Sequence, residues 1–137
     1  LVDWMLYQQC RSEIGAGFVR ILGYFREDGI KSVGEIETAM REGNAVALVL
    51  PAYTLQSEAR EIGAEAVADL AERIEMVARQ CVESHDAPDE VLPEVAALRP
   101  LFDRTLALLE REMNPIVPRR SGFGRKTALP STNADQS

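Results

Sequence analysis

Residues 48 to 64 read LVLPAYTLQSEAREIGA, and the spacing of the apolar side chains in this stretch determines the predicted fold. Apolar residues recur every three or four positions, at Leu48, Ala52, Leu55, Ala59 and Ile62. This spacing is typical of an amphipathic helix that buries one stripe of side chains. Gly63 can adopt the left-handed conformation that ends a helix, so we expect the helix to end there.

A second face of the same helix carries polar side chains and one aromatic ring. At ~100° per residue, this face is centred roughly 130° from the apolar stripe. We call it the Tyr53 face, and its residues are Val49, Tyr53, Gln56, Ser57 and Arg60. Tyrosine and arginine are enriched at binding hot spots. The Tyr53 face is therefore the candidate partner-binding site.

Four amphipathic segments predict an all-α fold. Besides the helix just described, apolar residues keep a helical period over residues 17–42, 65–84 and 89–113, and residues 1–10 form a short amphipathic stretch. The short connections predict an antiparallel up-down four-helix bundle with a short N-terminal helix, as one domain over residues 1–113. Residues 114–137 lack a period and are expected to form a basic, disordered tail.

Glycine and proline residues mark the irregularities expected in these helices. Gly29 should weaken one long helix, because the same apolar face resumes on both sides, and two separate helices are the alternative. Pro51 should bend the helix of the Tyr53 face or make its regular part begin near Leu50, and Pro100 should kink the last helix. Asn44 is expected to cap the helix of the Tyr53 face.

Composition restricts the class of function. The chain has 137 residues and a net charge of -7, of which residues 114–137 carry +3 and the remainder -10. An acidic body repels phosphates, so nucleic acid is not an expected partner. Cys10 and Cys81 lack metal-ligand spacing, so no metal and no other cofactor is expected. No apolar run reaches the ~18 residues of a membrane span and no signal-peptide pattern is present, so a cytoplasmic protein is expected.

The central helix also carries a family resemblance. Residues 52–64 resemble the motif of histidine-containing phosphotransfer (HPt) domains, A-H-x-L-K-G/S followed about six residues later by G-A. The matching residues are Ala52, Leu55, Ser57, Gly63 and Ala64, while Tyr53 stands at the histidine position and Gln56 at the lysine position. The flanking helices extend the resemblance over roughly residues 12–84, and the four-helix bundle of the family agrees with the predicted fold.

The resemblance implies phosphoryl transfer with receiver domains, but two substitutions remove that chemistry. Histidine can accept and return phosphate because an imidazole has a pKa near 6.5 and forms a labile phosphoramidate. Phenols have a pKa of about 10, so a tyrosine at this position is a poor nucleophile and its phosphate ester would be too stable to return. Gln56 also lacks the positive charge of the family's lysine. We therefore expect no catalytic residue and no enzymatic activity.

The expected function is that of a pseudo-HPt module, which binds a response-regulator receiver domain or a histidine kinase through the Tyr53 face without transferring phosphate. Two alternatives remain open. One is a homodimeric helical scaffold unrelated to phosphorelay, although a monomer is favoured, and the other is a relay HPt protein whose active histidine has been replaced. His85 is expected to be a solvated helix-end residue, and Glu58 and Glu61 to lie on the solvated side of their helix.

Overall fold

The computed structural model describes residues 1–113 of the chain, and every regular element in this part is helical. The α-helices are α1 (Trp4–Ile14), α2 (Phe18–Arg41), α3 (Ala45–Ile62), α4 (Glu65–Ser84) and α5 (Leu92–Met113). Short 3-10 helices precede α2 (Gly15–Gly17) and α5 (Asp89–Val91). The prediction of an all-α fold with four long helices and a short N-terminal helix is confirmed for these residues. The predicted tail, residues 114–137, lies outside the described residues.

A side-chain cap and a glycine determine where α3 begins and ends. Oδ1 of Asn44 accepts a hydrogen bond from the backbone N–H of Ala47 (3.1 Å), which confirms the predicted cap. Gly63 has φ 86° and ψ 11°, the left-handed conformation in which the chain can leave a helix. α3 is helical from Ala45, so of the two alternatives expected at Pro51 a regular part that begins near Leu50 is wrong, while a bend at Pro51 and the kink at Pro100 stay predictions.

Proline and glycine inside the long helices do not divide them. α3 continues through Pro51, and α5 continues through Pro100. α2 is one helix through Gly29, as predicted. Gly29 has a packing role that the sequence does not reveal, because a Cβ atom at this position would lie 2.4 Å from the Phe102 ring. The absence of a side chain thus lets the ring from α5 lie directly on α2.

The predicted apolar stripe of α3 forms the centre of the core. Its five residues are at most 1% exposed: Leu48, Ala52, Leu55, Ala59 and Ile62. α3 packs most extensively against α4 and α2. The rings of Phe25 from α2 and Phe102 from α5 complete this core, with their centroids 5.5 Å apart. Burying a leucine or isoleucine side chain stabilises a fold by about 1.5–3 kcal/mol, so α3 is held firmly at this stripe.

The N-terminal helix is fixed to the turn between α3 and α4. The backbone N–H of Asp3 donates to the carbonyl oxygen of Gly63 (2.7 Å), and the N–H of Ala66 donates to the carbonyl oxygen of Leu1 (3.2 Å). A Cβ atom at Gly63 would lie 2.7 Å from the carbonyl oxygen of Asp3, so this close approach requires glycine. Tyr7 of α1 is fully buried. α1 is therefore anchored at the end of the helix that carries Tyr53.

Residues Leu1–Leu106 form one compact unit, and a second unit begins at Ala107, within α5. The proposed division into a domain of residues 1–113 and a tail of residues 114–137 stays a prediction. Among the helices of residues 1–113, none combines the length and the low polarity that crossing a bilayer requires.

Candidate functional site

Tyr53 lies on the outer side of α3, where half of its surface (50%) is exposed. Val46 and Leu50, seven and three positions earlier, are 67% and 70% exposed. All three lie on the side of α3 that faces away from the buried stripe. Val46 and Leu50 are not among the predicted site residues, although their angular position opposite the stripe could have identified them. The surface around Tyr53 is consequently more apolar than the residues of the Tyr53 face alone indicate.

A shallow groove between α3 and α4 continues this surface toward the beginning of α3. The groove has a volume of about 450 Å³, and its lining residues are Val46, Val49, Leu50, Arg79, Val82 and Glu83. Val49, which the sequence predicts as a site residue, is half-buried in this groove. A partner that contacts Tyr53 can therefore also insert an apolar group between the two helices.

The two polar residues of the Tyr53 face differ in accessibility. Ser57 is exposed. Gln56 is half-buried, and its Oε1 atom is inaccessible to solvent and accepts no hydrogen bond from the described residues. Burial of an amide oxygen without a donor is unfavourable. The exposed Ser57 can thus contact a partner directly, whereas Oε1 of Gln56 cannot.

Arg60 is already engaged with α4. Its guanidinium forms salt bridges with Asp69 (3.2 Å) and Glu72 (2.6 Å). A partner's acidic pocket would have to compete with these two carboxylates for the same cation. The same antiparallel register of α3 and α4 brings the exposed side chain of Met76 level with Tyr53. Met76 therefore adds another apolar group to the surface around Tyr53. The two salt bridges of Arg60 reduce the role expected for this residue in binding a partner.

His85 and Cys81 occupy structural positions near the end of α4. His85 is exposed and caps α4 in a left-handed conformation (φ 58°), which confirms the predicted solvated helix-end position. Cys81 is buried, and its thiol lies 3.6 Å from the carbonyl oxygen of Ala87. Burial raises the pKa of the Cys81 thiol, and the charge of Asp86 raises it further. Within residues 1–113, no group of His, Cys, Asp and Glu side chains is arranged to hold a metal ion.

A second concave region lies on another side of α3, where α1 and α2 pack against it. We call it the acidic cleft. It has a volume of about 510 Å³, and its lining residues are Cys10 and Ile14 from α1, Ile21, Tyr24, Phe25 and Asp28 from α2, and Glu58, Glu61 and Ile62 from α3. Three of these nine residues are carboxylates and none is basic. The cleft therefore combines apolar walls with concentrated negative charge.

Glu58 is the most perturbed titratable group in this cleft. Burial raises the pKa of Glu58 to about 7, and so do a hydrogen bond with the carboxyl group of Asp28 and the charges of Asp28 and Glu61. Two carboxyl groups can share a hydrogen bond only when one of them is protonated. The interpretation of Glu58 as a solvated residue is therefore wrong, whereas Glu61 is exposed as expected.

The position of Glu58 beside the buried stripe is the signal that could have revealed it. At ~100° per residue, Glu58 and Gln56 lie roughly 80° to either side of the centre of the stripe. Both side chains have an Oε1 atom that is inaccessible to solvent and accepts no hydrogen bond from residues 1–113. Asp28 could not have been identified in this way, because it approaches Glu58 only when α2 packs on α3.

The chain was also compared with known proteins. No family model matches it, and no curated protein and no solved structure was found to be similar to it.

Proposed function

We propose that this chain is a pseudo-HPt module, an antiparallel four-helix bundle that binds a receiver domain or a histidine kinase without transferring phosphate. The observation that carries the proposal is the half-exposed Tyr53 side chain on the outer side of α3, at the position where the HPt motif has its histidine. An ion pair between Glu37 and Arg99 (2.9 Å) supports the bundle topology, because it joins α2 to α5. A partner of this class would place the module in the cytoplasm.

The apolar residues around Tyr53 account for binding better than the charged residue does. Leu50 and Val46 are largely exposed on the same side of α3, and Val49 borders the groove toward α4. Interface hot spots are dominated by large side chains that lose water on binding. Arg60, in contrast, would have to leave two salt bridges in order to reach a partner. Tyr53 and its apolar neighbours are therefore the expected anchor.

The first test measures the affinity of the chain for immobilised receiver domains and histidine-kinase dimerisation domains. Tyr53→Ala should weaken binding by about 2 kcal/mol, or about 30-fold, if Tyr53 is a hot spot. Leu92→Ala is the matched control, because Leu92 is 55% exposed but lies at the start of α5. The proposal fails if no protein of either class binds, or if the two variants bind equally well.

The second test concerns phosphate. The original chain should remain unlabelled after incubation with a phosphorylated receiver domain, because it lacks an imidazole at position 53. The double variant Tyr53→His with Gln56→Lys should gain an acid-labile label if the docking geometry of a relay protein has been retained. A label on the original chain, lost in a His85→Ala variant, would contradict the proposal.

A homodimeric scaffold remains the alternative, and one observation favours it. Val46, Leu50 and Met76 are each more than half exposed, and a second copy of the chain could cover them. Light scattering after gel filtration distinguishes the two functions. A dimer that dissociates on Leu50→Asp substitution would support the scaffold, and a monomer would support the docking module.

A further inference from the structure

The acidic cleft has the size and the lining of a small-molecule site. Its volume of about 510 Å³ lies within the range of ligand pockets, about 300–1,000 Å³. Ile21 and Phe25 of α2 and Ile62 of α3 supply apolar surface, and the ring of Tyr24 lies at its border with half of its surface exposed. Pockets with apolar walls and a few convergent polar groups are typical of ligand sites.

Charge determines which ligands this cleft can accept. Asp28, Glu58 and Glu61 line it, and none of its nine lining residues carries a positive charge. Carboxylates gain most from a ligand that brings N–H donors together with a positive charge.

We propose that the acidic cleft binds a small organic amine, whose protonated N–H group lies between Glu58 and Asp28 and whose apolar body covers Ile21, Phe25 and Ile62. The ammonium group donates hydrogen bonds to the carboxylates and neutralises part of their charge, and the apolar body displaces water from the hydrophobic walls. The ring of Tyr24 can add a cation–π contact at the rim. This site is independent of the proposed docking function of the Tyr53 face.

Two other classes of ligand fit the cleft less well. A metal ion would need several oxygen ligands around one point, and the apolar half of the lining would contribute nothing to its coordination. A quaternary ammonium ion carries the charge but has no N–H group, so it cannot donate a hydrogen bond to a carboxylate of the cleft. A primary amine therefore fits best, because its ammonium group pairs with the carboxylates and its apolar body covers the hydrophobic walls.

Binding of the amine is expected to depend on pH. Around neutral pH Glu58 is partly protonated, because its pKa is raised to about 7, and the other titratable groups that line or border the cleft are Asp28 and Tyr24 on α2, Glu61 on α3, and Cys10 with the nearby Glu13 on α1. A cation binds best when Glu58 is ionised, so it must displace the proton of Glu58. Affinity should thus rise between pH 6 and pH 8, and binding near pH 7 should release protons.

The experiment is a calorimetric titration of the full chain with 2-phenylethylamine at pH 6, 7 and 8. We expect saturable binding with one amine per chain at pH 8, weaker binding at pH 6, and a heat at pH 7 that depends on the ionisation enthalpy of the buffer. The N,N,N-trimethyl analogue should bind at least about tenfold more weakly, and the anion 3-phenylpropionate should not bind.

Two variants with the same change of charge locate the binding site. Glu58→Gln should weaken binding of 2-phenylethylamine at pH 8 by about tenfold or more and remove its dependence on pH. Glu27→Gln is the matched control, since Glu27 is exposed on the same helix as Asp28 but does not line the cleft, and its affinity should equal that of the original chain. Circular dichroism of both variants establishes that each is folded.

Several results would overturn the proposal. These are an absence of binding at pH 8, equal affinities for the amine and its trimethyl analogue, and equal effects of Glu58→Gln and Glu27→Gln. Concentration-dependent dimerisation that Ile21→Asp abolishes would also overturn it, because a second copy of the chain would then cover the cleft. The titration uses the isolated chain and the receiver assay contains no amine, so either proposal can fail alone.

Discussion

The two flanks of α3 are close in sequence but differ in chemistry. On one flank, Tyr53 and Leu50 present an apolar surface to solvent and to the groove with α4. On the other flank, Glu58 meets Asp28 of α2 in a cleft that α1 also borders. Tyr53 and Leu50 both belong to α3, whereas the second flank depends on Asp28 of α2, which lies thirty positions before Glu58. A local pattern therefore identifies the first surface and misses the second.

The largest effect should come from Gly63→Ala, which is expected to disrupt the acidic cleft and to leave the surface around Tyr53 intact. Alanine at position 63 would keep an unfavourable positive φ, and its Cβ atom would lie 2.7 Å from the carbonyl oxygen of Asp3. We expect the free energy of unfolding to fall by about 2–4 kcal/mol. Hydrogen exchange should become faster in α1 than in α3, amine binding should be lost, and binding through Tyr53 should persist.

Gly43→Ala is the control for this prediction. Gly43 also has a positive φ (65°), but a Cβ atom there would meet no other atom within 4 Å. Gly43→Ala should lower the free energy of unfolding only by the cost of a positive φ for alanine, about 1–2 kcal/mol. Equal losses of stability in the two variants, measured by chemical denaturation, would show that the contact between Gly63 and Asp3 does not hold α1 in place.

An intermediate effect is expected from Glu58→Gln. The pKa of Glu58 is raised from 4.5 to about 7 in the folded state, so the folded chain binds more protons than the unfolded chain between these pH values. The contribution of this group to the free energy of unfolding is thus present below pH 4.5 and is lost as the pH rises to 7. At pH 8 the variant should be more stable by about 1–2 kcal/mol, after allowance for solvent screening.

The pH dependence of unfolding checks this sign. Glu58→Gln should flatten the decrease in stability between pH 5 and pH 8, and at pH 4 the variant should match the original chain. Glu27→Gln removes a carboxylate from exposed surface and should leave the slope unchanged. A steep slope that survives Glu58→Gln would mean that Glu58 does not cause the pH dependence.

The smallest effect should come from Arg60→Gln on the other flank. The side chains of Arg60, Asp69 and Glu72 are each more than 40% exposed, so their salt bridges are screened by water. The free energy of unfolding should fall by less than about 1 kcal/mol, and the loss should diminish in 1 M salt. Arg20→Gln, at an exposed position of α2, serves as the control. A loss above 2 kcal/mol would show that this network stabilises the fold far more than its exposure implies.

The sequence predicted those features that depend on neighbours along the chain. The buried stripe of α3, the cap at Asn44 and the end at Gly63 all follow from local spacing and backbone preference. Features that depend on contacts between helices could not be predicted. Gly29 was interpreted as a weak point of α2, but its position beneath the Phe102 ring makes it a point of close packing.

In the candidate site, too, the sequence predicted what depends on position along one helix and missed what depends on contacts between helices. The exposure of Tyr53 agrees with its position opposite the stripe. The salt bridges of Arg60 and the perturbed pKa of Glu58 arise from Asp69, Glu72 and Asp28, which lie on other helices. A helical wheel shows the direction in which a side chain leaves its helix, but not which charged group it will meet.

Four of the residues that carry the HPt resemblance have an architectural explanation in this molecule. Ala52 and Leu55 are buried in the core, Gly63 admits the N-terminal segment, and Ala64 is fully buried beside it. Any chain that lays a helix across such a turn would favour small residues at positions 63 and 64, whatever its chemistry. The small residues at positions 63 and 64 are therefore explained by the docking of the N-terminal segment, whatever the function of the Tyr53 face.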